Sequence, residues 1–149
     1  MNIYTSADQA RPFAVRLSEG PVNGDWAMSA VSGSDAGCSL VFFGTVRENG
    51  RQGAVTHLFY EAYPQMVAKE LQDIAETILA EFKVLRIAVE HSVGTVPVGE
   101  CSVTVAIAAA HRKHVFDASA RFMDKLKARV PIWKKEVYQD GSEWLGRGS

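Results

Sequence analysis

At Pro64 the spacing of apolar residues changes, and that change limits the chain to a fold mixing paired strands with long helices. Ala54 to Tyr63 has strand character, whereas Val67, Leu71, Ile74, Ile78 and Phe82 recur at intervals of four, three, four and four. The second pattern is the apolar stripe of an amphipathic helix. Leu85, Ile87 and Val89 then alternate with Arg86, Ala88 and Glu90, and Val103, Val105 and Ile107 alternate again. Gly94, Pro97 and Gly99 lie between them, which predicts an antiparallel hairpin turning from Gly94 to Gly99. Upstream, Phe13, Val15 and Leu17 predict a short strand, and Asp25 a cap for a short helix through Met28 and Val31. Ser39-Leu40-Val41-Phe42-Phe43 is a continuous apolar run, read as a buried strand. Glu48, Asn49, Gly50 and Gly53 mark the loop after it. Strands that come in adjacent pairs indicate an α+β fold, mostly antiparallel, with two long helices.

The chain has 149 residues, 47% of them hydrophobic, and a formal net charge of -1. That fits one domain spanning 1–149 and excludes intrinsic disorder. No run approaches the ~20 apolar residues that span a bilayer. MNIYTSADQARPF lacks a basic stretch followed by an apolar one, so no secretory leader is expected. Cys38 and Cys101 are too few for a disulfide framework and too isolated for zinc, and read as small core residues. A cytoplasmic protein is the expectation.

The small net charge conceals a basic segment. From His111 to Lys135, eight lysines and arginines face only Asp117 and Asp124, a net +6. A basic stretch on a near-neutral chain points to an anionic ligand at one place, or to a solvated helix face. The second long helix starts near His111 and ends before Pro131, because the residue preceding proline disfavours the α region. Phe116, Ala120, Met123 and Lys127 form its expected apolar stripe, with Lys127 within about 20° of Phe116. Such a lysine can snorkel. Held against apolar neighbours it also has a depressed pKa, and so is a candidate acid, base or nucleophile.

Four stretches place polar residues at the ends of apolar elements, where sites form. In Gly44-Thr45-Val46-Arg47 the glycine permits close approach and the arginine offers a bidentate fork for phosphate or carboxylate. His111-Arg112 follows the strand ending in Ala110. Lys127 and Arg129 close the last helix. Pro131-Ile132-Trp133-Lys134-Lys135-Glu136 fixes two lysines beside a rigid proline. There is no phosphate loop and no nucleophile elbow. His57, His91, His111 and His114 have no metal-ligand spacing.

Taken in order, Phe43-Gly44-Thr45-Val46-Arg47, Tyr60-Glu61-Ala62-Tyr63, Gly94 through Glu100, Ala110-His111-Arg112, Phe116, Leu126-Lys127 and Pro131 through Glu136 resemble the large, catalytic subunit of molybdopterin synthase. The resemblance covers roughly Cys38 to Trp144. It implies an α/β-hammerhead-like fold and a sulfurtransferase of molybdenum cofactor biosynthesis. That family converts cyclic pyranopterin monophosphate into molybdopterin by installing two dithiolene sulfurs. The sulfur arrives as a thiocarboxylate on the C-terminal glycine of a small, ubiquitin-like partner. The family's large subunit is a homodimer within a heterotetramer.

By motif position the resemblance makes Lys127 and Lys134 catalytic. It assigns substrate contacts to Thr45, Val46, Arg47, His111, Arg112, Lys127, Lys134, Lys135 and Glu136. It implies no metal or organic cofactor, no nucleic acid and no membrane. The chain departs from the family at His91-Ser92-Val93-Gly94, where an arginine usually follows the histidine. Arg147 is an unaligned substitute for a basic residue that relatives carry further on. The rival reading is a non-catalytic module that binds an anion or RNA through residues 111–135. Against it, Phe116, Phe122 and Trp133 are expected to face the core rather than form a stacking platform.

Overall fold

One strand, β6 (Arg86–Pro97), belongs to both halves of the sheet, and the site follows from how it does so. The computed structural model describes residues 2–5 and 12–149, so part of the stretch read against a leader lies outside the described residues. Up to Val93, β6 pairs in parallel with β2 (Phe13–Glu19), and from Arg86 to His91 it pairs antiparallel with β7 (Cys101–Ala109). From Gly94 to Pro97 it pairs instead with β5 (Gly53–Ala62). Gly94 has φ +97°, a conformation costly for any residue with a Cβ, and this lets the strand change partners. The hairpin turn is therefore shorter than expected. It lies at Val98–Glu100, with Glu100 N–H donating to Pro97 O at 3.1 Å. The same glycine signal serves a bend as well as a turn.

β1 (Asn2–Thr5) and β3 (Cys38–Thr45) extend one half, on β2 and β7 respectively. On the other side of β5 lie β4 (Asn49–Gly50), β8 (Ile132–Tyr138) and β9 (Glu143–Arg147). The sheet is mostly antiparallel, as expected, with β2–β6 its parallel pair. The run in β3 is not a buried strand. Among the described residues β3 pairs with β7 alone, and Phe42 and Phe43 are 36% and 49% exposed. A continuous apolar run reports two apolar faces and says nothing about whether the strand has one neighbour or two.

Among the described residues, three α-helices cover the sheet. α1 (Asp25–Val31) packs on β6 and β7. Its N-cap is Gly24 rather than Asp25, and Asn23 Oδ1 accepts the Asp25 N–H at 3.0 Å. α2 (Pro64–Glu81) buries Val67, Leu71, Ile74 and Ile78 as their spacing predicts. A one-turn 3-10 helix over Arg112–His114 precedes α3 (Val115–Arg129), which stops before Pro131. α3 buries Val115, Ala118, Ser119, Phe122, Met123 and Leu126, whereas Phe116 is 62% exposed and Ala120 is exposed. The apolar stripe is thus rotated from the expected one by about one residue, or ~100°. Both stripes satisfy helical spacing. The buried one carries more apolar volume and meets α2.

This assigns different costs to two phenylalanines. Phe122→Ala should destabilise the fold by about 3–5 kcal/mol, and Phe116→Ala by less than about 0.5 kcal/mol. Urea unfolding midpoints of the two variants measure the difference.

Candidate functional site

At the end of β3 next to β7's first residues, the chain folds around a small cavity of about 140 Å³. Thr45, Val46 and Arg47 line it from the exit of β3, Asn49 and Gly50 from β4, Tyr60 from β5 and Lys127 from the last turn of α3. Lys134 and Glu136 come from β8, two residues apart and therefore on one face of the strand. The close approach at the β3 exit depends on Gly44, where a Cβ would meet a Val103 methyl at 2.6 Å. The β3–β7 register slips there by one residue, and Ser102 Oγ donates to Gly44 O at 3.3 Å.

Glu136 is 6% exposed and anchors the cavity wall. It accepts the Arg51 N–H at 3.1 Å and the Tyr138 hydroxyl. The hairpin can approach it because residue 50 is glycine, where a Cβ would lie 2.6 Å from the carboxylate. Arg51 stacks its guanidinium over Trp144, 4.4 Å from the ring centroid.

Burial holds the Lys127 ammonium below its ordinary pKa, and the cations Lys134 and Arg47 push it in the same direction. Lys134 is also lowered, first by burial and then by Arg51 and Arg47, against the opposing pull of Glu136. The direction matches the sequence expectation for Lys127, but the cause differs. Lys127 lies outside the helix's buried stripe, and its amine is desolvated by the cavity it enters. Lys127 Nζ donates to Ser149 O at 2.8 Å. Below it, His91 is 1% exposed and meets Tyr60 edge-on at 5.2 Å.

Not every residue singled out in the sequence reaches this place. His111 and Arg112 lie past the opposite end of β7, about 26 Å from Cys101 at ~3.3 Å per residue. Both are exposed there. Lys135 sits on the other face of β8, with Nζ 5.5 Å from the Phe59 centroid and 3.7 Å from Glu143. Arg147 donates to Arg129 O at 2.8 Å, at the end of α3. Phe116 and Trp133 do not face the core as expected; only Phe122 of the three is buried. Tyr60, His91, Arg51 and Ser149 enter the site without a role read from sequence. Strand pairing over long separations brings them there, and no local pattern signals it.

A half-buried cavity with three cations, Arg47, Lys127 and Lys134, on its walls suits an anion, and a lysine with a lowered pKa suits proton transfer. The family model for the MoaE protein matches residues 17–129. The molybdopterin synthase catalytic subunit 1 of Mycobacterium tuberculosis is 39% identical over 94% of this chain and 95% of its own. The molybdopterin synthase catalytic subunit of Dictyostelium discoideum is 38% identical over 89% of this chain and 86% of its own. Among solved structures, the molybdopterin synthase of Staphylococcus aureus superposes with a TM-score of 0.81 at 27% identity. That match covers 87% of this chain and 94% of the other.

The two depressed lysines should titrate below the ordinary lysine range in NMR of the reductively ¹³C-methylated protein. Lys134→Ala should raise the Lys127 midpoint, because a neighbouring cation is lost. Lys127 should still titrate below the ordinary lysine range, because burial is the larger cause.

Proposed function

The chain belongs to the MoaE family, and on that premise we propose that it is the catalytic subunit of a molybdopterin synthase, transferring sulfur to cyclic pyranopterin monophosphate. The observation that carries this reading is the convergence of Arg47, Lys127 and Lys134 on one cavity beside buried Glu136. The sulfur donor is the thiocarboxylate tail of a small ubiquitin-like subunit. The rival RNA-binding reading has no support among the matched relatives.

Each residue's part follows from its surroundings. Arg47, with Lys134 and Arg51, holds the phosphate and stabilises the charge that develops as its ring opens, a task for fixed cations in a desolvated place. Glu136 fixes the hairpin bearing Arg51 and offsets the charge of Lys134. Lys127, its pKa lowered, supplies or accepts the proton as sulfur adds. Thr45 and Val46 shape the entrance. Lys127→Ala should lower dithiolene formation by roughly 10²–10⁴-fold without moving the thermal midpoint. Mass spectrometry of pterin products, after mixing with thiocarboxylated partner, reads this directly. Near wild-type yield would remove Lys127 from the chemistry.

The distance of His111 and Arg112 from the cavity fits a homodimer in which each copy completes the other's site. Pairing of two β3 edges about a two-fold axis sets Thr45 of one copy beside Cys38 of the other. Cys38 pairs with Ala109, two residues before His111. Exposed Phe42 and Phe43 supply apolar area for that contact. A mixture of Lys127→Ala and Arg112→Ala chains, each inactive alone, should regain about one quarter of wild-type activity through mixed dimers with one intact site. Sites built within one chain would give no recovery.

A further inference from the structure

The tip of the β4–β5 hairpin carries a cation that stands beside the cavity without lining it. Arg51 and Gln52 are exposed and form the turn between Gly50 and Gly53, which pair in register. The Arg51 main-chain N–H is fixed 3.1 Å from Glu136 Oε2, and Glu136 lines the cavity. Its side chain instead lays the guanidinium over the Trp144 ring, 4.4 Å from the centroid. The cations among the cavity-lining residues are Arg47, Lys127 and Lys134.

β9 is shaped to provide that platform. Trp144 stands opposite Glu136 in register, and Gly146 opposite Lys134. The indole lies along its own strand over Gly146, where a Cβ would collide with the ring. The platform therefore runs from the level of Glu136 toward that of Lys134, and the Arg51 charge already bears on Lys134. A stacked guanidinium keeps its hydrogen-bonding edge free, and at an exposed place the stack is worth only about two- to fivefold in population. Rotation about the side-chain bonds of Arg51 moves the guanidinium off the indole while its main chain stays on Glu136.

The reaction calls for such a movable cation. A cyclic phosphate diester carries one negative charge, and the sulfur donor brings another. When sulfur displaces a phosphate oxygen from carbon, a C–S bond forms and a C–O bond breaks, with the electron pair of the C–O bond staying on the oxygen. The charge that entered on sulfur thus ends on the phosphate, now a monoester whose second ionisation has a pKa of about 6. Total charge is conserved but its place is not, so a counter-charge is needed at the phosphate after opening that was not needed before.

We propose that Arg51 is a follower cation, held on Trp144 while the phosphate is cyclic and drawn onto the phosphate when the ring opens, with Trp144 as its positioning residue. The inference rests on the synthase reading above and divides the phosphate contacts in time. Arg47 and Lys134 hold the cyclic form, and Arg51 joins them for the open one.

The test is turnover of the full chain with cyclic pyranopterin monophosphate and thiocarboxylated partner. Arg51→Ala should lower kcat by about tenfold or more, the worth of one charge-assisted hydrogen bond, and leave the KM for the pterin within about twofold. Arg51→Lys should recover part of the loss, because it keeps the charge without the planar fork. Trp144→Leu frees Arg51 early and should lower the pterin KM by about two- to fivefold, which loss of a merely structural support would not do. Tryptophan emission gives a second readout, taken as the difference between wild type and Trp144→Phe. That difference should stay constant when the cyclic pterin binds. It should change on adding thiocarboxylated partner and not on adding the same partner as a plain carboxylate, and Arg51→Ala should abolish the change. An unchanged kcat, or a loss confined to KM, in Arg51→Ala overturns the proposal. So does a pterin KM in folded Trp144→Leu that does not fall, or an emission difference that already moves on pterin binding or never moves. Should Trp144→Leu fail to fold, the Arg51 variants decide, because Arg51 is exposed and its anchoring N–H is kept. In each of these cases sulfur transfer by the wild-type chain leaves the synthase reading standing. Absence of sulfur transfer by the wild-type chain overturns both.

Discussion

Crowding of like charge at a half-buried place is the constraint around which this end of the molecule is built. Lys127 and Lys134 lose hydration on entering the cavity wall, and the charges of Arg47 and Arg51 bear on them there. Such an arrangement is tolerable only beside a fixed counter-charge, and Glu136 provides it. The carboxylate is itself nearly out of water, so its lone pairs are taken by the Arg51 N–H and the Tyr138 hydroxyl. That requirement reaches back into the fold. It asks for a glycine at position 50, for β8 in the register that sets Glu136 opposite Leu58, and for a β4–β5 hairpin short enough to bring Arg51 over. The residual repulsion among the cations is relieved when an anion arrives.

β6 extends this into the rest of the molecule. Its first half lies in the middle of β2 and β7, among fully buried Ile87, Ala88 and Val89, and its second half belongs to the sheet that carries the site. His91 lies just before the change of partner, which places a polar ring from the core strand beneath the cavity. A histidine two residues earlier would be buried between α1 and the sheet or in the main core. A histidine beyond Gly94 would follow β5.

Much of this was legible before the fold was known, and the remainder was illegible for physical reasons. The exit of β3 at Gly44–Arg47 and the Lys134–Glu136 pair are local signals, and local signals survive folding. α2 follows its spacing because only one stripe of it is apolar. α3 offered two, and periodicity does not weigh Val115 and Leu126 against Phe116 and Ala120. The run from Ser39 to Phe43 reports the character of both faces of β3 and nothing of its pairing. Tyr60, His91 and Arg51 come to the cavity through contacts between residues distant in the sequence, and His91 looks unremarkable beside Ser92, where the family pattern is broken. The separation of His111 and Arg112 from Lys127 is likewise a property of the length of β7, which no motif encodes.

The open edge of β3 bears on the life of the chain before it reaches its working state. A strand that has no neighbour on one side among the described residues, with phenylalanines on both faces at its end, can add any extended segment as its next neighbour. The self-pairing proposed for this edge would be second order in concentration, whereas capture by an unfolded or foreign strand depends on whatever is present. Slow synthesis or strong dilution lengthens the interval in which that edge stands open. The yield of usable protein is then set by a race between two encounters, and the composition of the surroundings decides it as much as the sequence does.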